Sequence, residues 1–252
     1  MLCLLKIISN YGEKYNFVVL QIITLLFMSF IVIEGLDGAG KSTQLQMLAQ
    51  RFTSQGISCE ALHFPRTDSP FFGELIARFL RGELGKLSEV DPYVVAMLYA
   101  GDRRDAASVL QGWLNEGKTI LLDRYVYSNI AFQCAKLSNG EEQKRLRDWI
   151  YELEFSYFGI PKPSLNIFLD VPFDFTVSRL QNQRTGTDRE YLKGSTDIHE
   201  EDLSFQEKVR RVYLKQTDYD PSFVVIPCAN RDGDMGDKDE IFAKIVSLIE
   251  SK

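Results

Sequence analysis

Gly35-Leu36-Asp37-Gly38-Ala39-Gly40-Lys41-Ser42 stands between an apolar run, Phe30–Glu34, and a stretch from Lys41 to Gln55. That second stretch carries Leu45, Leu48 and Phe52 at helical spacing, and Gly56 stops it. Strand, glycine-rich turn and helix, in that order, are the context in which GxxxxGK[ST] acts as a phosphate loop. The glycines let backbone N–H groups turn inward round phosphate oxygens, and the helix N-terminus adds the positive end of its dipole. Lys41 supplies a point charge for β- and γ-phosphates, and the Ser42 hydroxyl is placed to ligand Mg2+. Gly35 to Ser42, with Thr43, are the expected contacts of a nucleoside triphosphate.

Outward from this loop, strands and helices alternate. Residues 57–64 read as a second strand, and Leu75, Ile76, Phe79 and Leu80 mark a helix face that ends near Gly82. Asp91-Pro92 opens a long helix toward Asn115, with proline early in the helix. Lys118–Asp123 is a buried strand, followed by helices near 126–137 and 141–157. Leu165–Asp170 is a fourth strand with a helix at 173–182; a helix at 201–217, a strand at Phe223–Pro227 and a helix at 237–250 complete the chain. Such alternation predicts an α/β fold, a parallel sheet covered on both faces. Residues 184–199 hold Arg, Gly, Asp, Thr and Lys with little apolar periodicity and read as a mobile lid.

The bulk properties agree. With 45% hydrophobic and 25% charged residues, the chain fits an ordinary globular domain and excludes a disordered or polytopic membrane protein. At 252 residues one core buries about 70–75% of the unfolded surface, so no disulfide or metal staple is needed. Thirty-five acidic against 29 basic residues, net −6, argue against a nucleic-acid polymer as partner but leave room for a small phosphorylated ligand. Cys3, Cys59, Cys134 and Cys228 are widely spaced and read as reduced thiols of a cytoplasmic protein.

Residues 1–27 do not fit the rest. The apolar stretch 17–33 is at the lower bound for a membrane span, and its end is claimed by the first strand. Met28 stands two residues before that strand, so the favoured reading takes Met28 as the functional start, 1–27 as an upstream extension and 28–252 as the domain. A targeting or membrane-contact segment and a helix packed on the domain are the alternatives.

A phosphate loop does not by itself separate a kinase from a GTPase switch or a motor. No NKxD element follows a later strand, which argues against a guanine-specific switch. The strand 118–123 ends in Asp123-Arg124-Tyr125 rather than in an acidic pair. In a parallel sheet Asp123 lies beside the loop, where it can hold Mg2+ through water. Arg124 next to it can neutralise a second phosphorylated substrate. A carboxylate and an arginine at one strand end suit transfer between two anions better than hydrolysis alone.

With these elements in place, the chain resembles the thymidylate kinase family over about 29–250. IEGLDGAGKSTQ (33–44) resembles that family's phosphate loop, Phe64-Pro65-Arg66 its FPR element, Tyr99-Ala-Gly-Asp-Arg103 its base-embracing helix segment, and LLDRYVYSNIAFQ (121–133) its signature. Asp197-Ile198-His199-Glu200, followed by Phe205-Gln206-Glu207, resembles the join of lid and helix. The resemblance implies a five-stranded parallel sheet in the order 2-3-1-4-5, a homodimer through the helices near 70–81 and 91–115, and phosphoryl transfer from MgATP to dTMP. It implies that Asp37 bonds the acceptor 3′-hydroxyl and that Arg66 and Arg124 hold the acceptor phosphate. Tyr99, or its neighbour Leu98, and Phe132 would pack on the thymine, Arg103 and Gln133 read its polar edge, and Tyr125 crowd the sugar 2′ position. Leu75 and Ser128 are counted with the dTMP site. Without the resemblance, Tyr99 and Phe132 would pass for core aromatics, and Asp102-Arg103-Arg104-Asp105 for a solvated face.

One departure from a branch of the family stands at Gly38, where some members carry an arginine that neutralises the transferring group. Arg184 and Arg189 in the lid segment are the expected substitutes, catalytic together with Lys41, Arg124 and Asp37. The other readings are a kinase for another (deoxy)nucleotide, or a nucleotide-dependent ATPase or switch.

Overall fold

The structure, a computed structural model, describes residues 30–181, 187–194, 197–199 and 203–252. The extension 1–27, Met28 and Arg184 lie outside the described residues. Five strands form one parallel sheet: β1 (Phe30–Gly35), β2 (Cys59–His63), β3 (Thr119–Asp123), β4 (Leu165–Asp170) and β5 (Phe223–Pro227), in the order β2-β3-β1-β4-β5.

β1, β3 and β4 read as almost unbroken apolar runs because helices cover both faces of the sheet, and alternation along each strand sorts the side chains. Phe30 and Val32, with Ile120, Leu122 and Phe168, face one layer. That layer is built by α3 (Pro92–Asn115), α4 (Val126–Cys134), α5 (Gly140–Tyr151) and α7 (Leu203–Leu214). Ile31 and Ile33, with Leu121, Ile167 and Leu169, face the other, made by α1 (Lys41–Ser54) and α8 (Lys238–Glu250). Among the described residues the remaining α-helices are α2 (Phe72–Leu80) and α6 (Phe173–Gln181). As the sequence implies, Pro92 opens α3, and Asp91 accepts from the backbone N–H of Tyr93 at 2.8 Å.

Two helices run differently from expectation. The segment 141–157 is not one α-helix, since α5 passes at Tyr151 into a π-helical turn, Glu152–Tyr157. The segment 201–217 ends in a 3-10 turn, Lys215–Asp218. The lid segment contains a 3-10 turn, Thr187–Leu192, and its described part is fastened to α2. Arg81 donates to the Tyr191 carbonyl at 2.6 Å, and the Ile198 N–H to the Leu80 carbonyl at 3.0 Å. The Tyr191 hydroxyl donates to Asp197 at 2.8 Å. Among the described residues no helix is long and apolar enough to cross a membrane.

Candidate functional site

The register pairs Ile33 with Asp123, so the carboxylate at the end of β3 stands beside the loop that leaves β1. This is the carboxyl edge of the sheet, where open α/β sheets bind ligands. The loop itself is closed by the Ala39 N–H on the Leu36 carbonyl at 3.2 Å. Gly40 caps α1 with φ +83°, a left-handed conformation that a side chain would strain. Lys41, first residue of α1 and buried, donates to the Leu36 carbonyl at 3.1 Å and lies 3.9 Å from Asp123 Oδ1. The Ser42 hydroxyl donates to Asp123 Oδ2 at 2.9 Å. Thr43, one residue on, is exposed. Burial alone would raise the Asp123 pKa; Lys41, His63 at 3.5 Å and Arg124 outweigh it and hold the carboxyl well below the usual range.

Arg124 follows with φ +67°, rare for a residue with a side chain and kept only where neighbours over-determine it. Its N–H donates to the Ile33 carbonyl at 3.0 Å. Its guanidinium is tied to Asp37 at 2.9 Å, to the Ser128 hydroxyl at 3.0 Å and to the Tyr213 hydroxyl at 3.4 Å, and it lies 5.2 Å from the centre of the Phe132 ring. Burial would lower its pKa, but Asp37 and the other nearby acids raise it, so the group stays charged.

Beneath this cation lies Glu34, fully buried. It accepts from the Tyr125 N–H at 2.9 Å, the Ser128 hydroxyl at 2.5 Å and the Tyr213 hydroxyl at 3.0 Å. Burial raises its pKa, opposed by Ser128 and Arg124. The Tyr213 ring stacks on Phe168, with centroids 4.5 Å apart. A carboxylate buried among donors from Tyr125 at the start of α4, Ser128 on α4 and Tyr213 on α7 thus braces the strand end that carries Arg124.

Arg66 sits just beyond β2, locked to α3. Its N–H and Nε bond the two Asp102 carboxylate oxygens at 2.9 Å each, and Nη2 bonds the Asp102 carbonyl at 2.8 Å. Arg103 is 1% exposed and makes a two-pronged pair with Glu154, at 2.5 and 2.7 Å. Tyr99 is half-buried; burial and Asp197 raise its pKa, while Arg124 and Arg103 work against them, so its phenol lies within the field of both arginines. Tyr125 is buried and bonds the Pro161 carbonyl at 3.1 Å. Leu75 stands half-buried on α2. Gln133 is 1% exposed, and its Oε1 has no partner among the described residues.

The loop residues Asp37, Lys41 and Ser42 thus stand with Asp123, Arg124, Ser128 and Phe132 at the carboxyl end of the sheet, while Arg184 lies outside the described residues. Three of the expected residues stand differently from what their sequence suggests. Arg103, which alone looks like part of a solvated charge run, is among the most deeply buried side chains. Phe132 has neighbours across its ring, Arg124 at 5.2 Å and His199 at 4.8 Å. For Arg189 the structure describes only the backbone, within the 3-10 turn of the lid segment. Sequence reasoning missed Glu34, Asp102, Asn129 and Glu154. A signal existed for Asp102 and Arg103. The buried stripe of α3 runs Val95, Ala96, Ala100, Ala106, Ala107, Leu110, and both charged residues fall on it at helical spacing.

Just past the end of α4 lies a second polar group withdrawn from solvent. The Lys136 ammonium has no partner among the described residues and sits 4.8 Å over the Phe79 ring. Burial pushes its pKa down to about 7, against Asp91, and pushes His199 down to about 3. An unfolded chain binds the Lys136 proton up to about pH 10.4. Between roughly 7 and that value the unfolded state thus holds more protons, and the native state gains stability as pH rises. Lys136→Met removes this dependence. Its stability relative to wild type is expected to be greatest at pH 7 and to shrink by pH 9, read from urea midpoints at the two pH values.

The thymidylate kinase family model matches residues 33–235. Thymidylate kinase from Mycobacterium tuberculosis is 33% identical over 185 residues, covering 73% of this chain and 84% of that protein. A probable thymidylate kinase of Thermococcus kodakarensis is 30% identical over 227 residues, covering 88% and 97%. The solved structure of thymidylate kinase from Candida albicans superposes with a TM-score of 0.64 at 25% identity, covering 88% of this chain and 90% of that one. Fold, loop, strand-end pair and kinship over most of the length agree: the chain belongs to the thymidylate kinase family.

Proposed function

We infer that this chain is a thymidylate kinase, which transfers the γ-phosphoryl group of ATP to dTMP and releases ADP and dTDP. The observation that carries the reading is the joint at Asp37. The loop built to wrap donor phosphates is hydrogen-bonded through Asp37 to Arg124, the cation placed for the acceptor, at 2.9 Å. Donor and acceptor sites thus meet across one ion pair.

In this reading the loop N–H groups and Lys41 hold the ATP phosphates. Arg124 and Arg66, each fixed by a carboxylate, take the dTMP phosphate in the planar, forked geometry that suits it. Asp37 takes the 3′-hydroxyl, Tyr99 and Phe132 flank the base, Arg103 and Gln133 read its edge, and Tyr125 closes the 2′ side, with Leu75 and Ser128 completing the site. The attacking atom is a phosphate oxygen already anionic, so alignment and charge stabilisation suffice and no general base is required. The donor set fits Mg2+. Ser42 and Asp123 offer hard oxygens, and Asp123 Oδ1 is buried and accepts no hydrogen bond among the described residues. Few protein ligands suit an ion that keeps its waters and binds substrate phosphates. When bound, it neutralises charge on the donor's β- and γ-phosphates.

A second copy docks across α2 and α3 in this proposal. Val94, Met97 and Val109, all exposed, stand on one face of α3, and Phe71 is exposed at the start of α2. The domain starts at Met28 in the cytoplasm; a chain begun there is expected to fold and match the full chain in activity, checked by side-by-side assay. Lower activity or aggregation of the shorter chain would place 1–27 in the fold.

The test is ADP release with dTMP, dUMP, CMP, AMP and thymidine as acceptors. dTMP is expected to turn over fastest. ADP release that does not depend on any acceptor would point to an ATPase instead.

A further inference from the structure

The base-reading end is held by a carboxylate that no motif marks. Leu146, Ile150 and Leu153 make one buried stripe along α5 and the π-helical turn, and Glu154 takes the next inward place, 0% exposed. Its Oε2 accepts from Arg103 Nε at 2.5 Å. Its Oε1 accepts from Arg103 Nη2 at 2.7 Å and from Asn129 Nδ2 at 3.0 Å. Asn129 Nδ2 also donates to the Ala96 carbonyl at 3.0 Å.

Two acceptors therefore face that one nitrogen. Exchanging N and O in the amide would set Oδ1 against a carbonyl and a carboxylate, so the amide has a single orientation. Asn129 Oδ1 is left as a buried acceptor with no partner among the described residues. A buried acceptor without a donor is costly, and a donor arriving with a ligand removes the penalty. One helical turn on, Gln133 Oε1 is a second such acceptor. The pair with Glu154 uses Arg103 Nε and Nη2 and leaves Nη1 outside it.

We propose that Glu154 is a positioning residue for base discrimination. By fixing Arg103 and Asn129 together it presents a buried acceptor beside a cationic donor. That pattern complements an imide edge, an N–H next to a C=O, as in thymine and uracil. A cytosine edge offers the reverse, an acceptor ring nitrogen and an amino group, and meets repulsion at both points. This rests on the reading that Arg103 faces the base of dTMP.

The experiment compares dTMP with dCMP in binding, by calorimetry, and in kcat/KM, together with KM for ATP. In Glu154→Gln the side-chain amide can donate where the carboxylate accepted, so the Asn129 amide is free to turn over. The dTMP-to-dCMP ratio is expected to fall ~10-fold or more, with KM for ATP unchanged, because a hydrogen-bonding site loses discrimination with its pattern. Glu154→Asp, which keeps the charge, is expected to recover part of the ratio. An unchanged ratio, or an equal loss toward ATP, overturns the proposal. Should Glu154→Gln fail to fold, Asn129→Leu removes the acceptor directly, and a wild-type ratio there overturns it as well. Wild-type protein that binds dTMP over dCMP yet transfers no phosphoryl group would refute the kinase reading and support the imide reading, since the binding ratio needs no turnover.

Discussion

Lys41→Ala protein is expected to fold and to lose at least ~100-fold in turnover, the effect of removing one preorganised electrostatic donor, about 2.7–4 kcal/mol. Folding survives because alanine is the best helix former, at the first residue of α1. Asp123 keeps His63 and Arg124 as partners that favour its charged form. Chemistry does not survive, because the ammonium is held between the Leu36 carbonyl and Asp123 Oδ1, facing the loop that wraps the phosphates. The check is steady-state ADP formation at saturating ATP and dTMP, with unfolding curves alongside. Near-wild-type turnover would remove the loop from the reaction. Equal falls in turnover and stability would assign Lys41 to the fold.

What could be read from the sequence, and what could not, divides by distance along the chain. β1, the loop and α1 are contiguous, so an unbroken apolar run, glycine spacing and helical spacing all report within one short stretch of chain. The strand end Asp123-Arg124 is legible for the same reason. The groups that hold the arginines are not. Glu34 reaches Ser128 and Tyr213, Asp102 reaches Arg66, and Glu154 reaches Arg103, all across gaps that only the folded sheet closes. A buried ion pair leaves no local signature, since each partner alone resembles a surface charge. Truncating one partner would strand the other, at about 3–5 kcal/mol, so such pairs are set by tertiary packing rather than by propensity. The π-helical turn is hidden likewise. The stripe Leu146, Ile150, Leu153 continues at helical spacing through it, so periodicity predicts an unbroken helix. Glu34 did leave a trace, a charged residue inside an otherwise apolar strand, directly before the loop.

Arg184→Ala combined with Arg189→Ala is expected to lower kcat by ~10³ or more, the scale of an arginine finger. Gly38 leaves the phosphate loop without a cation of its own besides Lys41, while transfer between two polyanions needs positive charge where the phosphoryl group passes. In the proposed function Arg124 and Arg66 are taken by the acceptor phosphate, each already bound to a carboxylate, Asp37 and Asp102. The lid segment is the remaining source. Its described part hangs from the end of α2 through Tyr191 and Ile198, and α2 also carries Leu75, which the proposed function counts with the dTMP site. In the proposed reaction a lid rooted there would close over the bound acceptor, excluding water and protecting ATP from hydrolysis. Contacts made mainly in the transition state alter kcat far more than ground-state affinity. Dissociation constants for ATP and dTMP, measured separately, should therefore stay within a few-fold of wild type, while single variants show partial losses. A double variant that keeps its kcat would move the neutralising charge elsewhere, with Lys193, exposed at φ +50° just past the 3-10 turn, the next residue to replace.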